Sequence, residues 1–171
     1  MKPIAIVYTS NTGHTAAYAA LLAKRLNLPT YTLQAAKNYL EKGDSVIYMG
    51  WLFAGTIKGY KKAAKRFSLC AVCGVGLSDT GSMDAQVRKA IKLADVVPLF
   101  TLQGGMDYAK LKGINKMMID MLTNFFAKKE NRTADEDKML SLLQKGGDYV
   151  DEKHLSALLE WYAAEYCKGE R

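Results

Sequence analysis

No apolar run in this chain approaches the ~20 residues that a membrane-spanning helix requires. The opening segment, Met1-Lys2-Pro3-Ile4-Ala5-Ile6-Val7-Tyr8, has one positive charge and a very short apolar stretch. It lacks the longer hydrophobic region and small-residue cleavage site of a secretory leader. The expectation is a cytoplasmic protein whose chain begins with a strand. Cysteine is scarce: three residues, an odd number, suggest no disulfide framework. Cys70 and Cys73 form a C-x-x-C, but inside the apolar run 69–77, which reads as a strand. Residues three apart on a strand face opposite ways, whereas a redox dithiol normally opens a helix, so buried structural cysteines are expected. Histidine is scarcer still. His14 and His154 are the only imidazoles and neither lies near the cysteines, which argues against zinc. Acidic side chains are the minority, 17 against 24 basic, for a net charge of +7. That balance fits an anionic partner or simply a basic surface; nucleic acid is not expected.

What remains is an ordinary globular composition. The 171 residues are 49% hydrophobic, enough for one domain with a real core. Strand and helix alternate. Ile4–Tyr8 is a nearly continuous apolar run, as in a parallel strand buried on both faces. A helix follows over 15–26, then an edge-like strand over 28–33 containing Pro29. Val46–Gly50 reads as a third strand, 55–67 as a lysine-rich helix and 69–77 as a fourth strand. A helix over 82–92 has Ser82 as a candidate N-cap, and Val96–Phe100, with Pro98, reads as a fifth strand at an edge. The alternation predicts an α/β fold: a doubly wound five-stranded parallel sheet with helices on both faces. Edge-like second and fifth strands select the order 2-1-3-4-5 over 3-2-1-4-5.

Beyond the fifth strand the spacing predicts a long amphipathic helix over 109–128, an insertion around 128–150, and a last helix over 151–167. The whole of 1–171 reads as a single domain. The long helix has a wide apolar set, including Met117, Met118, Met121, Phe125 and Phe126, with lysines at its flanks. Core packing is the commoner fate of such a stripe; a partner-facing or membrane-facing surface is the alternative.

The sharpest motif directly follows the first strand: Tyr8-Thr9-Ser10-Asn11-Thr12-Gly13-His14-Thr15. For order 2-1-3-4-5 this is the switch point, where ligands bind beyond the strand ends. The loop enters a helix whose first N–H groups and dipole favour an anion. Gly13 permits close bending, and the hydroxyls add donors. No lysine stands in the loop, and neither G-x-x-x-x-G-K-[ST] nor G-x-G-x-x-G is present. Neutral donors without lysine suit a phosphate monoester; mere helix capping is the alternative. Ser78-Asp79-Thr80-Gly81-Ser82 also carries a Thr-Gly, but Asp79 would repel a phosphate, so it reads as a turn and cap.

Ser10-Asn11-Thr12-Gly13-His14-Thr15 resembles the [ST]-x-T-G-x-T signature with which flavodoxins cradle the phosphate of FMN. The resemblance implies a flavodoxin-like, non-covalent FMN protein that transfers electrons. It implies contacts from Thr9, Ser10, Asn11, Thr12, Gly13, His14 and Thr15, His14 giving mainly its backbone N–H. A flavin ring needs flat apolar or aromatic walls. Gly50, Trp51, Leu52, Phe53, Ala54, Gly55 and Thr56 form a candidate ring-contacting loop, although it departs from the familiar Pro-Thr-aromatic pattern, and either Trp51 or Phe53 could stack. Gln103, Gly104, Gly105 and Tyr108 form a second candidate loop, and Tyr108 could instead start the next helix and face solvent.

The long helix, the insertion and the basic charge are similar to the flavodoxin-domain branch that includes menaquinone-dependent protoporphyrinogen oxidase. That resemblance implies a redox partner protein or a quinone, with an anionic membrane surface as a further partner at the inner face. The alternative function it implies is a flavin-dependent oxidoreductase of the protoporphyrinogen oxidase or quinone reductase type. No acid–base pair stands out as a catalytic dyad. A phospho-acceptor module on the same fold is disfavoured, because no acidic cluster follows the first strand.

Overall fold

The computed structural model describes residues 1–167. In chain order its regular elements are β1 (Ala5–Thr9), α1 (His14–Leu26), β2 (Thr30–Thr32), β3 (Ser45–Phe53), β4 (Thr56–Ile57), α2 (Tyr60–Arg66) and β5 (Ser68–Gly76). Then come α3 (Asp84–Ile91), β6 (Leu99–Gln103), β7 (Gly105–Met106), α4 (Gly113–Lys128), α5 (Ala134–Lys145), β8 (Gly147–Asp148) and α6 (Ser156–Tyr166).

Five strands pair in parallel in the order β2-β1-β3-β5-β6, the doubly wound order expected once the short β4 is set aside. β2 and β6 are the edges, where Pro29 and Pro98 cost no ladder bonds. The central strands bury both faces, and side chains alternate between two cores. Ala5, Val7, Val46, Tyr48 and Val72 pack with Ala63, Phe67 and Val87 of α2 and α3. Ile6, Ile47, Met49, Ala71 and Cys73 pack on the other face with Tyr18 and Leu22 of α1 and Leu158 and Tyr162 of α6.

Several boundaries differ from the sequence pattern. The fifth parallel strand lies at 99–103, not 96–100; Val96 is 90% exposed, and the Pro98 carbonyl only accepts from Val72 N–H at the strand's entry. β3 runs on to Phe53, so the expected loop after it is mostly strand. α2 starts at Tyr60 rather than 55, and α3 at Asp84; Ser82 donates to the Asp79 carbonyl instead of capping the helix. A register shift places Leu69 beside Val46 but Ala71 beside Ile47, leaving Cys70 in a bulge. Cys73 is fully buried, which pushes its thiol pKa far up, whereas Cys70 is only half-buried; all three cysteines are free.

The segment between α4 and α6 is more ordered than its polarity suggested. Thr133 and Glu136 form a reciprocal capping box that opens α5. α4 and α5 meet over the carboxyl ends of the strands, not on a sheet face. There Met106, Leu111, Ile119 and Leu143 form a third core with Phe53 and Leu77. The opposite side of α4 leaves Ile114, Met117, Met121 and Phe125 exposed. Among the described residues no helix is long and apolar enough to cross a membrane.

Candidate functional site

β1 lies between β2 and β3 and delivers residues 10–13 to the amino end of α1. Gly13 stands at the N-cap with φ of 110°, a conformation that side chains with a Cβ resist. Ser10 Oγ accepts from Ala16 N–H at 3.3 Å. The backbone N–H groups of Asn11, Thr12, Gly13, His14 and Thr15 donate to no other group among the described residues. A helix start with this many free donors is built for an anion. Thr15 is buried, and Thr9 is committed elsewhere: its Oγ1 donates to the Lys58 carbonyl at 2.8 Å and lies 3.0 Å from Tyr48 Oη.

The aromatic segment is a β-hairpin, not an irregular loop. β3 and β4 pair antiparallel, Leu52 with Ile57 and Phe53 with Thr56. Ala54 and Gly55 both take positive φ (47° and 72°), as a two-residue hairpin turn requires. Alternation puts Trp51 and Phe53 on one side, edge to face at 6.1 Å. Lys58 Nζ lies over both rings, at 5.5 and 5.1 Å. Leu52 points the other way and covers Gly74 and Gly76, where a Cβ would come within about 3 Å of it. Thr56 ties the turn by donating to the Phe53 carbonyl at 2.9 Å.

Beside the hairpin lies an apolar slot of about 70 Å³. Asn11 and Thr12 form one end, Trp51, Leu52 and Phe53 one wall, and Gly76, Leu77, Gly105 and Met106 the floor. The remaining wall is Leu111 with Asn115 and Ile119 of α4, and Asn115 Nδ2 donates to Asn11 Oδ1 at 3.2 Å. Thr12 and Met106 also border a larger outer cavity of about 560 Å³, lined among others by His14, Tyr108, Lys110, Lys145 and Asp148.

The structure therefore gathers the phosphate-loop residues, the Trp51–Phe53 hairpin and Gly105 around one slot. It places Tyr108 elsewhere: the ring stands in the outer cavity, with Lys116 Nζ over its face and its hydroxyl bonded to Lys116 and Asp120. Those bonds hold the Asp120 carboxyl below its usual pKa and the Lys116 ammonium above its own. Gln103 is structural. Its carbonyl accepts from the buried Tyr18 hydroxyl at 2.5 Å and its side chain donates to the Leu77 carbonyl. His154 Nδ1 sits 2.7 Å from the same Tyr18 hydroxyl, and burial raises the pKa of that phenol. The His14 side chain is packed against Gly104 and Gly105. Leu77, Leu111, Asn115 and Ile119 were not anticipated. The helix periodicity of 109–128 marked α4 as having a buried face, but nothing local said what that face would cover.

A family model described as "Flavodoxin domain" matches residues 5–134, about three quarters of the chain. The protein belongs to the flavodoxin-domain family, and its sheet order agrees. The match ends at the first residue of α5. No curated protein and no solved structure matches the chain.

Proposed function

We propose that this protein holds FMN non-covalently and transfers electrons through it. The reading is carried by one observation: the row of unpartnered N–H groups at Asn11–Thr15 opens onto an aromatic-walled slot at the switch point of the sheet. When bound, the flavin supplies the one- and two-electron chemistry; the protein binds, orients and shields it. The N–H groups of 11–15 and the Ser10 and Thr12 hydroxyls hold the phosphate with neutral donors. Trp51 or Phe53 lies against the ring, and Leu77, Gly105 and Met106 exclude water from it. A three-ring system exceeds 70 Å³, so the slot would have to widen to admit it, and the Asn115–Asn11 bond spans its α4 side.

The electron donor and acceptor are a redox partner protein or a quinone in the cytoplasm. The exposed Ile114-Met117-Met121-Phe125 side of α4, with Lys112 and Lys128 at its two ends, supports contact with an anionic membrane surface. A second reading, an oxidoreductase of the protoporphyrinogen oxidase or quinone reductase type, is supported by the outer cavity, which shares Thr12 and Met106 with the slot and has room for a small molecule. The first experiment is the visible spectrum of the purified protein and an FMN titration. Bands near ~370 and ~450 nm at one FMN per chain support the proposal; a colourless protein that stays free of FMN on titration refutes it. Turnover of a quinone by the reduced protein alone selects the second reading.

A further inference from the structure

His14 occupies the variable position of the phosphate loop, yet its side chain is only 10% exposed. The side chain is packed against Gly104 and Gly105, where a Cβ on Gly104 would come within 3.2 Å of the His14 Cβ and one on Gly105 within 3.0 Å of its Nε2. Both ring nitrogens face a partner. Nδ1 lies 3.1 Å from Thr12 Oγ1 and Nε2 lies 3.7 Å from Asp148 Oδ1 on β8. The other charged and titratable groups of the shared cavity are Lys145 at the end of α5 and Asp107, Tyr108 and Lys110 in the turn before α4.

A neutral imidazole has one N–H and one lone pair, so it meets these two contacts in one tautomer only. The Asp148 carboxylate, at 3.7 Å too far for a hydrogen bond, draws the proton to Nε2 through its charge. Nδ1 then accepts, and the Thr12 hydroxyl spends its single proton on the ring. Its remaining outward groups are lone pairs, which repel a phosphate oxygen. In the doubly protonated ring, Nε2–H faces the Asp148 charge and Nδ1–H donates to Thr12 Oγ1. The Thr12 hydroxyl is then free to donate outward, beside the N–H groups of 11–15. The imidazolium also brings the loop its only formal positive charge.

We propose that His14 is a positioning residue for the phosphate: binding of a phosphate monoester at the Ser10–Thr15 loop takes up a proton on His14, which turns the Thr12 hydroxyl into a donor. This rests on the loop being the FMN phosphate site. By linkage, a group protonated more readily in the complex strengthens binding at low pH and loses that contribution as pH rises through its titration in the complex.

The test is flavin binding, by fluorescence quenching, to the full chain between pH 5.5 and 8.5, with FMN and with riboflavin, which lacks the phosphate. The comparison uses wild type, His14→Gln and Asp148→Asn. Taking the ratio of wild type to His14→Gln for one ligand cancels the ionisation of the phosphate itself. That ratio is expected to fall for FMN as pH rises, by about tenfold for each unit by which the phosphate raises the His14 titration. It stays flat for riboflavin. Asp148→Asn, at an exposed carboxylate, removes the charge that draws the proton to Nε2 and is expected to flatten the FMN profile. With only two histidines in the chain, the His14 imidazole NMR signal is assigned by its loss in His14→Gln, and its midpoint is expected to rise with FMN and not with riboflavin. If FMN binds but the ratio is flat and the midpoint does not move, the inference fails and the cofactor reading stands. If neither flavin binds, both fall.

Discussion

Tyr48 ties the aromatic hairpin to the phosphate loop, and its hydroxyl can be removed cleanly. The side chain is fully buried in β3. Its hydroxyl donates to the Lys58 carbonyl at 2.6 Å and lies 3.0 Å from Thr9 Oγ1, directly under Gly59, whose φ is 82°. Any Cβ at Gly59 would overlap that hydroxyl. In Tyr48→Phe, Thr9 still donates to Lys58, so no buried acceptor is orphaned. The loss is then one net hydrogen bond, about 1–1.5 kcal/mol at neutral pH. Burial also raises the phenol pKa from 10.0 to about 12, outweighing the Thr9 bond, which lowers it. A phenol whose pKa is higher in the folded state contributes fully below the unfolded pKa and loses that contribution as pH rises toward the folded one. Two units correspond to roughly 2.7 kcal/mol, about half of it gone by pH ~11. Wild type and variant should therefore converge near pH ~11 and cross above it. The measurement is urea unfolding of both proteins from pH 8 to 12, read as the difference between them so that other groups cancel. A gap of constant size across that range would refute the claim that this phenol is held protonated in the core.

Gly105→Ala meets two obstacles, a φ of 138° and overlap with the Gly147 carbonyl, so the β7–β8 pairing should be lost with a drop of at least ~2 kcal/mol in the same assay; an unchanged midpoint would contradict the packing described. Asn115→Ala removes the bond to Asn11 at a cost of about 1 kcal/mol or less. Its signature is faster hydrogen exchange in α4 with the sheet unaffected, and protection equal to wild type would show that α4 is held by its apolar face alone. Replacing Met117, Met121 and Phe125 together by serine should leave stability within ~1 kcal/mol, because all three are exposed. In liposome flotation the wild type is expected to float with anionic vesicles at low salt and the triple variant to stay behind; a wild type that shows no salt-sensitive binding removes the membrane from the proposed function.

Local signals were enough for the elements whose pattern and pairing coincide. β1, β3 and β5 are apolar runs because they are buried on both faces, and Pro29 and Pro98 stand immediately before the two edge strands; those facts order the sheet. The motif after β1 was legible because a helix start, a positive-φ glycine and the switch point all require the same short stretch. The fifth parallel strand slipped by three residues because Val96-Val97-Pro98-Leu99-Phe100 and Leu99-Phe100-Thr101-Leu102-Gln103 are equally strand-like. The choice was made by β5, whose Val72 pairs with Leu99. Thr133 and Glu136 carried a readable capping box ahead of an apolar patch, but without it the polar 129–150 segment passed for an insertion. The apolar slot is the deeper case. Its far wall consists of Leu111, Asn115 and Ile119, and Leu111 and Ile119 pack with Leu143 of α5 and Met106 of β7 over the strand ends. A site assembled by packing across the chain leaves no contiguous motif. The tie from His14 through Asp148 reaches the same cap. The part of the chain beyond the family match is thus the part that touches both the phosphate loop and, through α4, the ring slot. If FMN affinity changes with substitutions in β8 or α5, the specificity of this protein is set there and not in the loop it shares with its family.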